Sequence, residues 1–144
     1  LPIGAMLTTE KIAASLVVGT HASTFGGNPV AAAAAVEVLK IMLADGFLAS
    51  VQAKSQYFIA KLEAVAKQFP QLATGVRGRG LLLGLMLTDK GIELGLDIVQ
   101  QMFAEGALIN FAGNKVLRFV PPLIVSETEI DALVDKLCRV LARL

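Results

Sequence analysis

Gly19-Thr20-His21-Ala22-Ser23-Thr24-Phe25-Gly26-Gly27-Asn28-Pro29 is the stretch on which the fold of this chain turns. It holds no sustained helical or alternating period, which predicts an ordered loop, and it runs into a strong helix signal. Asn28 is a capping residue, Pro29 suits the first helical position, and five alanines follow, then Val36, Leu39, Met42 and Leu43, with Gly46 placed to close the helix. Two adjacent hydroxyls, two glycines and a helix N-terminus thus fall close together. Hydroxyls donate to phosphate oxygens, glycines let a backbone approach closely, and a first helical turn offers N–H groups and a favourable dipole. The pattern suits a phosphate ester, and it also suits an ordinary capped turn.

Working outward, residues 1–6 read as a loop or short strand, followed by a small helix that Thr8 or Thr9 caps and that runs to about Leu16. Downstream, a helix is predicted over 47–69, with Val51, Phe58, Leu62, Val65 and Phe69 on one face and Pro70 as its stop. Residues 76–79 and 81–88 read as strands, the second apolar at nearly every position, as a strand covered on both faces is. A helix over 92–105 and two short strands, 107–110 and 116–120, around an Ala112-Gly113-Asn114 turn come next, and Pro121-Pro122 forbids further pairing. In the last helix Ser126 and Glu129 form a capping box, Val125 and Ile130 stand where a hydrophobic staple forms, and the apolar face is Ile130, Leu133, Val134, Leu137, Leu141 and Leu144. A helix-rich part followed by an α+β domain, its small sheet covered by helices, is the predicted organisation.

Composition excludes several functions. Thirteen basic against twelve acidic residues leave a net charge of +1, so the field that draws proteins to nucleic acid is missing. One cysteine, Cys138, rules out an internal disulfide framework and points to a reducing, cytoplasmic setting. The longest apolar runs, 29–36 and 81–87, are far shorter than the roughly 18 to 20 residues of a membrane span. Yet 55% of the residues are hydrophobic and 17% charged, where roughly 25% charged is usual, so the apolar surface is expected to meet a further domain or a second subunit. The absence of an initiator methionine before Leu1 predicts a piece of a longer protein.

Few side chains outside the quoted loop invite chemistry. His21, the only histidine, has no second histidine with which to form a dyad or a metal site, and no metal site is expected. Arg77-Gly78-Arg79-Gly80 lacks the aromatic interleaving of an RNA-binding tract and leads straight into a strand. Arg118 in Leu117-Arg118-Phe119 is a cation in an apolar strand. It is either buried against an anion, for which a guanidinium matches a carboxylate bidentately, or carried on an edge strand facing solvent. Cys138 reads as a small core or boundary residue beside Leu137 and Leu141. Paired carboxylates and a Ser-His-Asp set are not found.

Leu1-Pro2-Ile3-Gly4-Ala5, the Gly19 to Pro29 block, Val76-Arg77-Gly78-Arg79-Gly80-Leu81-Leu82-Leu83-Gly84 and Leu117-Arg118-Phe119-Val120-Pro121-Pro122-Leu123, in that order and spacing, resemble the C-terminal portion of the class III pyridoxal-phosphate aminotransferases. The likeness is nearest to the acetylornithine and ornithine enzymes and covers essentially the whole chain. It implies the α/β architecture of the fold type I pyridoxal-phosphate transferases, with residues 1–45 as the end of the large cofactor-binding domain and 46–144 as the small C-terminal α+β domain. It implies pyridoxal 5'-phosphate as cofactor, with Ser23 and above all Thr24 holding its phosphate from the neighbouring subunit of a homodimer. Arg118 is then the grip on the α-carboxylate of glutamate or 2-oxoglutarate. Ala22 departs from the glycine usual in the family, which restricts the loop slightly.

The family's Schiff-base lysine lies a few residues before the segment in which this chain begins, so no catalytic residue is expected within it. None of Lys11, Lys40, Lys54, Lys61, Lys67, Lys90, Lys115 or Lys136 stands in the matching context. The implied reaction is a ping-pong transfer of an amino group from N-acetylornithine to 2-oxoglutarate in arginine biosynthesis, with the fragment alone inactive. Ornithine, succinylornithine or 4-aminobutyrate remain alternative donors, and a noncatalytic oligomerisation module is the alternative of another class.

Overall fold

The computed structural model describes residues 1–144, which divide into two compact units, Leu1–Phe47 and Leu48–Leu144. In the first, α1 (Glu10–Ala13) is a single turn. Thr9 stands at its N-cap in an extended conformation, but its hydroxyl caps nothing, and the expected run to Leu16 stops at Ala13. The long helix α2 (Pro29–Met42) begins where the capping residue and proline predict. It ends at Met42 rather than at Gly46, whose φ of +81° belongs to the turn that follows.

The second unit is a four-stranded antiparallel sheet with helices on one face. Helix α3 (Phe47–Gln68) leads into it with the predicted face inward, Phe58 and Leu62 being fully buried. Strands β1 (Ala73–Arg79), β2 (Leu82–Leu87), β3 (Asn110–Ala112) and β4 (Val116–Phe119) lie in the order β1-β2-β4-β3. Leu83 opposes Phe119 and Leu85 opposes Leu117, and these four face the helices. Gly84 and Met86 oppose Arg118 and Val116 on the other face. That face is only partly covered, where the sequence predicts β2 to be covered on both: Gly84 and Val116 are buried, but Leu82 is 57% exposed.

Two local expectations shift. The helix over 92–105 is two helices, α4 (Asp89–Glu93) and α5 (Gly95–Ala104), which share Leu94 as the cap between them. The Thr88 hydroxyl starts α4 by accepting from the Gly91 N–H at 3.1 Å while donating to the Gln71 carbonyl at 2.7 Å. Gly95 has no room for a side chain, because an added Cβ would meet the Phe111 ring. The hairpin strand predicted at 107–110 is instead Asn110–Ala112, as Gly113 and Asn114 take the positive-φ positions of the turn and Ala112 pairs with Val116.

Helix α6 (Glu127–Leu141) closes the core as read: the Ser126 N–H donates to Glu129 Oε2 at 2.8 Å, the Glu129 N–H to Ser126 Oγ at 3.2 Å, and Val125 and Ile130 are both buried. Val140 joins the buried face, while Leu133 and Leu144 are only half-buried. Phe58 meets Phe119 edge to face, with ring centroids 5.5 Å apart. The one buried polar side chain, Ser55, donates to the Gly80 carbonyl at 2.7 Å and ties α3 to the β1–β2 turn. No helix is long and apolar enough to cross a membrane.

Candidate functional site

In the first unit the predicted loop between α1 and α2 is irregular and closed by local turns. The Gly26 N–H reaches the Ser23 carbonyl at 3.4 Å, the Asn28 N–H reaches the Phe25 carbonyl at 3.2 Å, and Gly27 has φ of +71°. Asn28 Oδ1 accepts from the N–H groups of Val30 and Ala31, at 3.0 and 3.1 Å, and the Ala32 N–H bonds the Asn28 carbonyl at 2.9 Å. Since Pro29 has no N–H, the first turn of α2 has no free donor for an anion, contrary to expectation. The dipole remains, and so do the hydroxyls.

Ser23 and Thr24 are exposed, and neither hydroxyl is hydrogen-bonded within the chain. The Thr20 hydroxyl, by contrast, is committed to the Val17 carbonyl at 2.7 Å. Gly26 keeps the Ser23 side chain clear: an added Cβ there would lie 3.3 Å from Ser23 Oγ. Ser23 and His21 line a concavity of about 820 Å³ with Ile3, Gly4 and Gly27, whereas Thr24 is not among its walls. Two unspent hydroxyls beside the positive end of a helix fit part of a phosphate site, as hydroxyls donate to anionic oxygens. The pyridoxal phosphate implied by the resemblance therefore finds suitable donors here.

Arg118 lies in the second unit, on β4, an inner strand between β2 and β3. It is exposed on the open face while its neighbours Leu117 and Phe119 are buried on the other. It is thus neither a buried cation nor an edge-strand residue. No carboxylate of the chain pairs with it. It walls a concavity of about 440 Å³ with Arg77, Arg79, Leu82, Gly84 and Val116. Reading the sequence alone misses Arg77 and Arg79 as companions of Arg118. Their alternation along β1 is visible there, but the pairing that brings β1 and β4 to either side of β2 is not.

Several other charged groups tie elements of the second unit together. Tyr57 donates to Asp131 at 2.8 Å and Lys61 pairs with it at 2.7 Å, joining α3 to α6. Bonding to Lys61 and Tyr57 holds the Asp131 carboxyl below its usual range, and Arg139 and Arg143 do the same for Glu105. Cys138 is half-buried with Sγ 3.8 Å from Gln68 Oε1, and burial, then Asp135, pushes its thiol up.

Comparison with known proteins agrees with the resemblance. The family model "Aminotransferase class-III" matches residues 1–141. The chain is 46% identical over 132 residues to the acetylornithine aminotransferase of Myxococcus xanthus, covering 91% of this chain and 32% of that protein. Among solved structures, the N-acetylornithine aminotransferase of Stenotrophomonas maltophilia K279a superposes with a TM-score of 0.75 at 31% identity, over 82% of this chain and 32% of that one. The ornithine aminotransferase of Plasmodium yoelii gives 0.81 at 25% identity, over 95% of this chain and 36% of that one. The chain spans about a third of the length of the curated relatives it matches. The expected α/β fold of the pyridoxal-phosphate aminotransferases agrees with these neighbours and with the mixed α/β structure observed, whose sheet is antiparallel. The family is pyridoxal-phosphate-dependent. Matched by the family model over residues 1–141 of its 144, this chain belongs to the class-III aminotransferases.

Proposed function

We propose that this chain is part of a cytoplasmic enzyme of arginine biosynthesis that moves the amino group of N-acetylornithine to 2-oxoglutarate, giving glutamate. The observation that carries this reading is the 46% identity to a relative named acetylornithine aminotransferase, over 91% of the chain. Likeness to an ornithine aminotransferase structure, with a TM-score of 0.81, favours ornithine as the second choice of donor, at lower identity.

Pyridoxal 5'-phosphate, when bound, supplies the electron sink that amino transfer needs. Ser23 and Thr24 donate hydroxyl protons to its phosphate oxygens, reaching into the neighbouring subunit's site across a homodimer interface. Residues 1–45 are the end of the large domain, and 46–144 are the small domain, which carries Arg118. The Arg118 guanidinium holds the substrate α-carboxylate with two parallel N–H donors and so orients the reacting carbon. None of the eight lysines among these 144 residues stands in the context of the family's reactive lysine, so by themselves the 144 residues are taken to be inactive and, with α2 exposed, prone to self-association.

The test is made in the full-length enzyme. Thr24→Ala is expected to weaken cofactor retention on dialysis about ten- to hundred-fold, the worth of a charge-assisted hydrogen bond, with substrate KM unchanged. Arg118→Lys is expected to raise KM for 2-oxoglutarate and to lower kcat, as a point charge cannot replace a two-pronged grip. Full retention in the first variant, or unaltered kinetics in the second, removes that residue from the site. Faster turnover of ornithine than of N-acetylornithine overturns the choice of donor.

A further inference from the structure

Helix α6 has two working faces. One carries Ile130, Val134, Leu137 and Leu141, all buried in the core. Beside it Glu129, Ala132, Leu133 and Lys136, spaced as i, i+3, i+4 and i+7, make a second stripe, because residues at that spacing share a helix face. This stripe walls a groove of about 440 Å³ whose other side is formed by residues 106–108 and 119–122. Pro121 and Pro122 bring no N–H to that side. Its apolar side chains are uncovered, Leu108 being 84% and Val120 64% exposed, and the small Ala132 facing them leaves the groove open.

The charges along the stripe are not equivalent. Glu129 and Lys136 stand seven residues apart, roughly 10 Å along the helix axis. Glu129 is spent at the first turn of α6, where its carboxylate accepts from the Ser126 N–H and from Ser126 Oγ, both at 2.8 Å. Arg139 and Arg143, on the following turns, are spent on Glu105 at 3.1 and 2.9 Å. Lys136 has no carboxylate partner, and its Nζ reaches only the Gly106 carbonyl, at 3.4 Å, so most of the ammonium's donors are unused. A ligand that answers both features has one carboxylate for Lys136 and an apolar body for the groove, whereas a second carboxylate at the far end would meet Glu129. A protein partner would need roughly 800 Å² on this side, while a volume of a few hundred Å³ is that of a small-molecule site. We propose that this groove binds an aliphatic monocarboxylate, its head on Lys136 and its chain along Ala132 and Leu133. Arg118 lies on the open face of the sheet, away from the helices, so the two sites are separate.

Calorimetric titration of the full-length enzyme with octanoate and with octanol, which share an apolar chain and differ in the charge of the head, tests the site. Octanoate is expected to bind saturably, once per chain, and about ten-fold more tightly than octanol, the lower end of what a charge-assisted hydrogen bond gives. In Lys136→Gln the affinity for octanoate falls to that for octanol, and Lys136→Arg restores it. Ala132→Phe, which fills the groove and leaves the charge in place, weakens both ligands. Arg118→Gln changes neither. Ala132 is exposed and Lys136 half-buried, so an unchanged denaturation midpoint is expected to certify each fold. Equal affinity for the two ligands, or undiminished octanoate binding in Lys136→Gln, overturns the assignment of a carboxylate head to Lys136. Undiminished binding in Ala132→Phe overturns the groove as the seat of the chain. Loss of octanoate binding in Arg118→Gln moves the ligand to the open face of the sheet and overturns the site altogether, as does wild-type binding weaker than about 1 mM.

Discussion

Within residues 1–47 a single residue, Ala31, is buried, and Val30, Val36, Val38, Leu39 and Ile41 of α2 are each at least half exposed. Within residues 48–144 the apolar side chains of α3, β2, β4, α5 and α6 interlock, with Phe58, Leu62, Leu85, Ile98, Leu117 and Leu137 fully removed from solvent. Both regions are rich in apolar residues, and only one converts them into a core. The difference is one of geometry. The second unit has a sheet face against which three amphipathic helices lay their stripes, whereas the first has one long helix that is apolar nearly all round. Such a helix is stable where surfaces beyond its own segment cover it, and the loop next to it is then built at a boundary rather than inside a domain.

The contrast is broken most severely by emptying the core of the second unit. Phe58→Ala removes a fully buried ring that packs on Phe119, and a loss of about 3 to 5 kcal/mol in denaturant unfolding is expected. Leu39→Ala, on the exposed side of α2, is expected to change the same transition by less than about 0.5 kcal/mol. Comparable losses from the two would show that the 47-residue segment shares in the core after all.

A smaller effect sharpens the comparison at the helix caps. Ser126→Ala abolishes a complete capping box on α6, and about 1 kcal/mol of the second unit's stability should go with it. Asn28→Ala removes an equally well-formed cap from α2. Its expected signature is faster amide exchange at Val30 and Ala31 with no movement of the main unfolding midpoint.

The smallest effect is electrostatic. Glu105, Glu129 and Asp131 all have carboxyl groups held below their ordinary values, by Arg139 and Arg143, by Ser126, and by Lys61 and Tyr57 respectively. A depressed carboxyl contributes stability that is complete above its unfolded pKa and lost as pH falls through the folded one. Thermal stability of the second unit should therefore hold down to about pH 5 and decline below it, since free carboxyls titrate near 4. Glu129 is exposed, and Asp131 and Glu105 are half-buried with cationic partners that themselves reach solvent, so the decline should be shallow, weaken in salt, and flatten further in Glu105→Gln. A midpoint that does not move between pH 6 and 3 removes these pairs from the account.

Local signals in the sequence were sufficient wherever one residue or one short spacing decides the structure. Asn28 and Pro29 set the start of α2, and Ser126 with Glu129 set that of α6, because a cap involves only a helix's own first turn. The end of α3 before Pro70 is of the same kind. The four motifs that carry the family resemblance were legible too, and the match over residues 1–141 agrees with them. Tertiary structure decided the rest. Gly95 is packed against the Phe111 ring, sixteen residues on, and the first hairpin strand lies at Asn110–Ala112 rather than 107–110 because Ala112, read as part of the turn, pairs with Val116 instead. Whether Arg118 is buried or exposed, and that Arg77 stands two strands away from it over a glycine, depend on which strands pair and in what register. Register is a property of segments tens of residues apart meeting across a sheet, and no single stretch of this chain contains it.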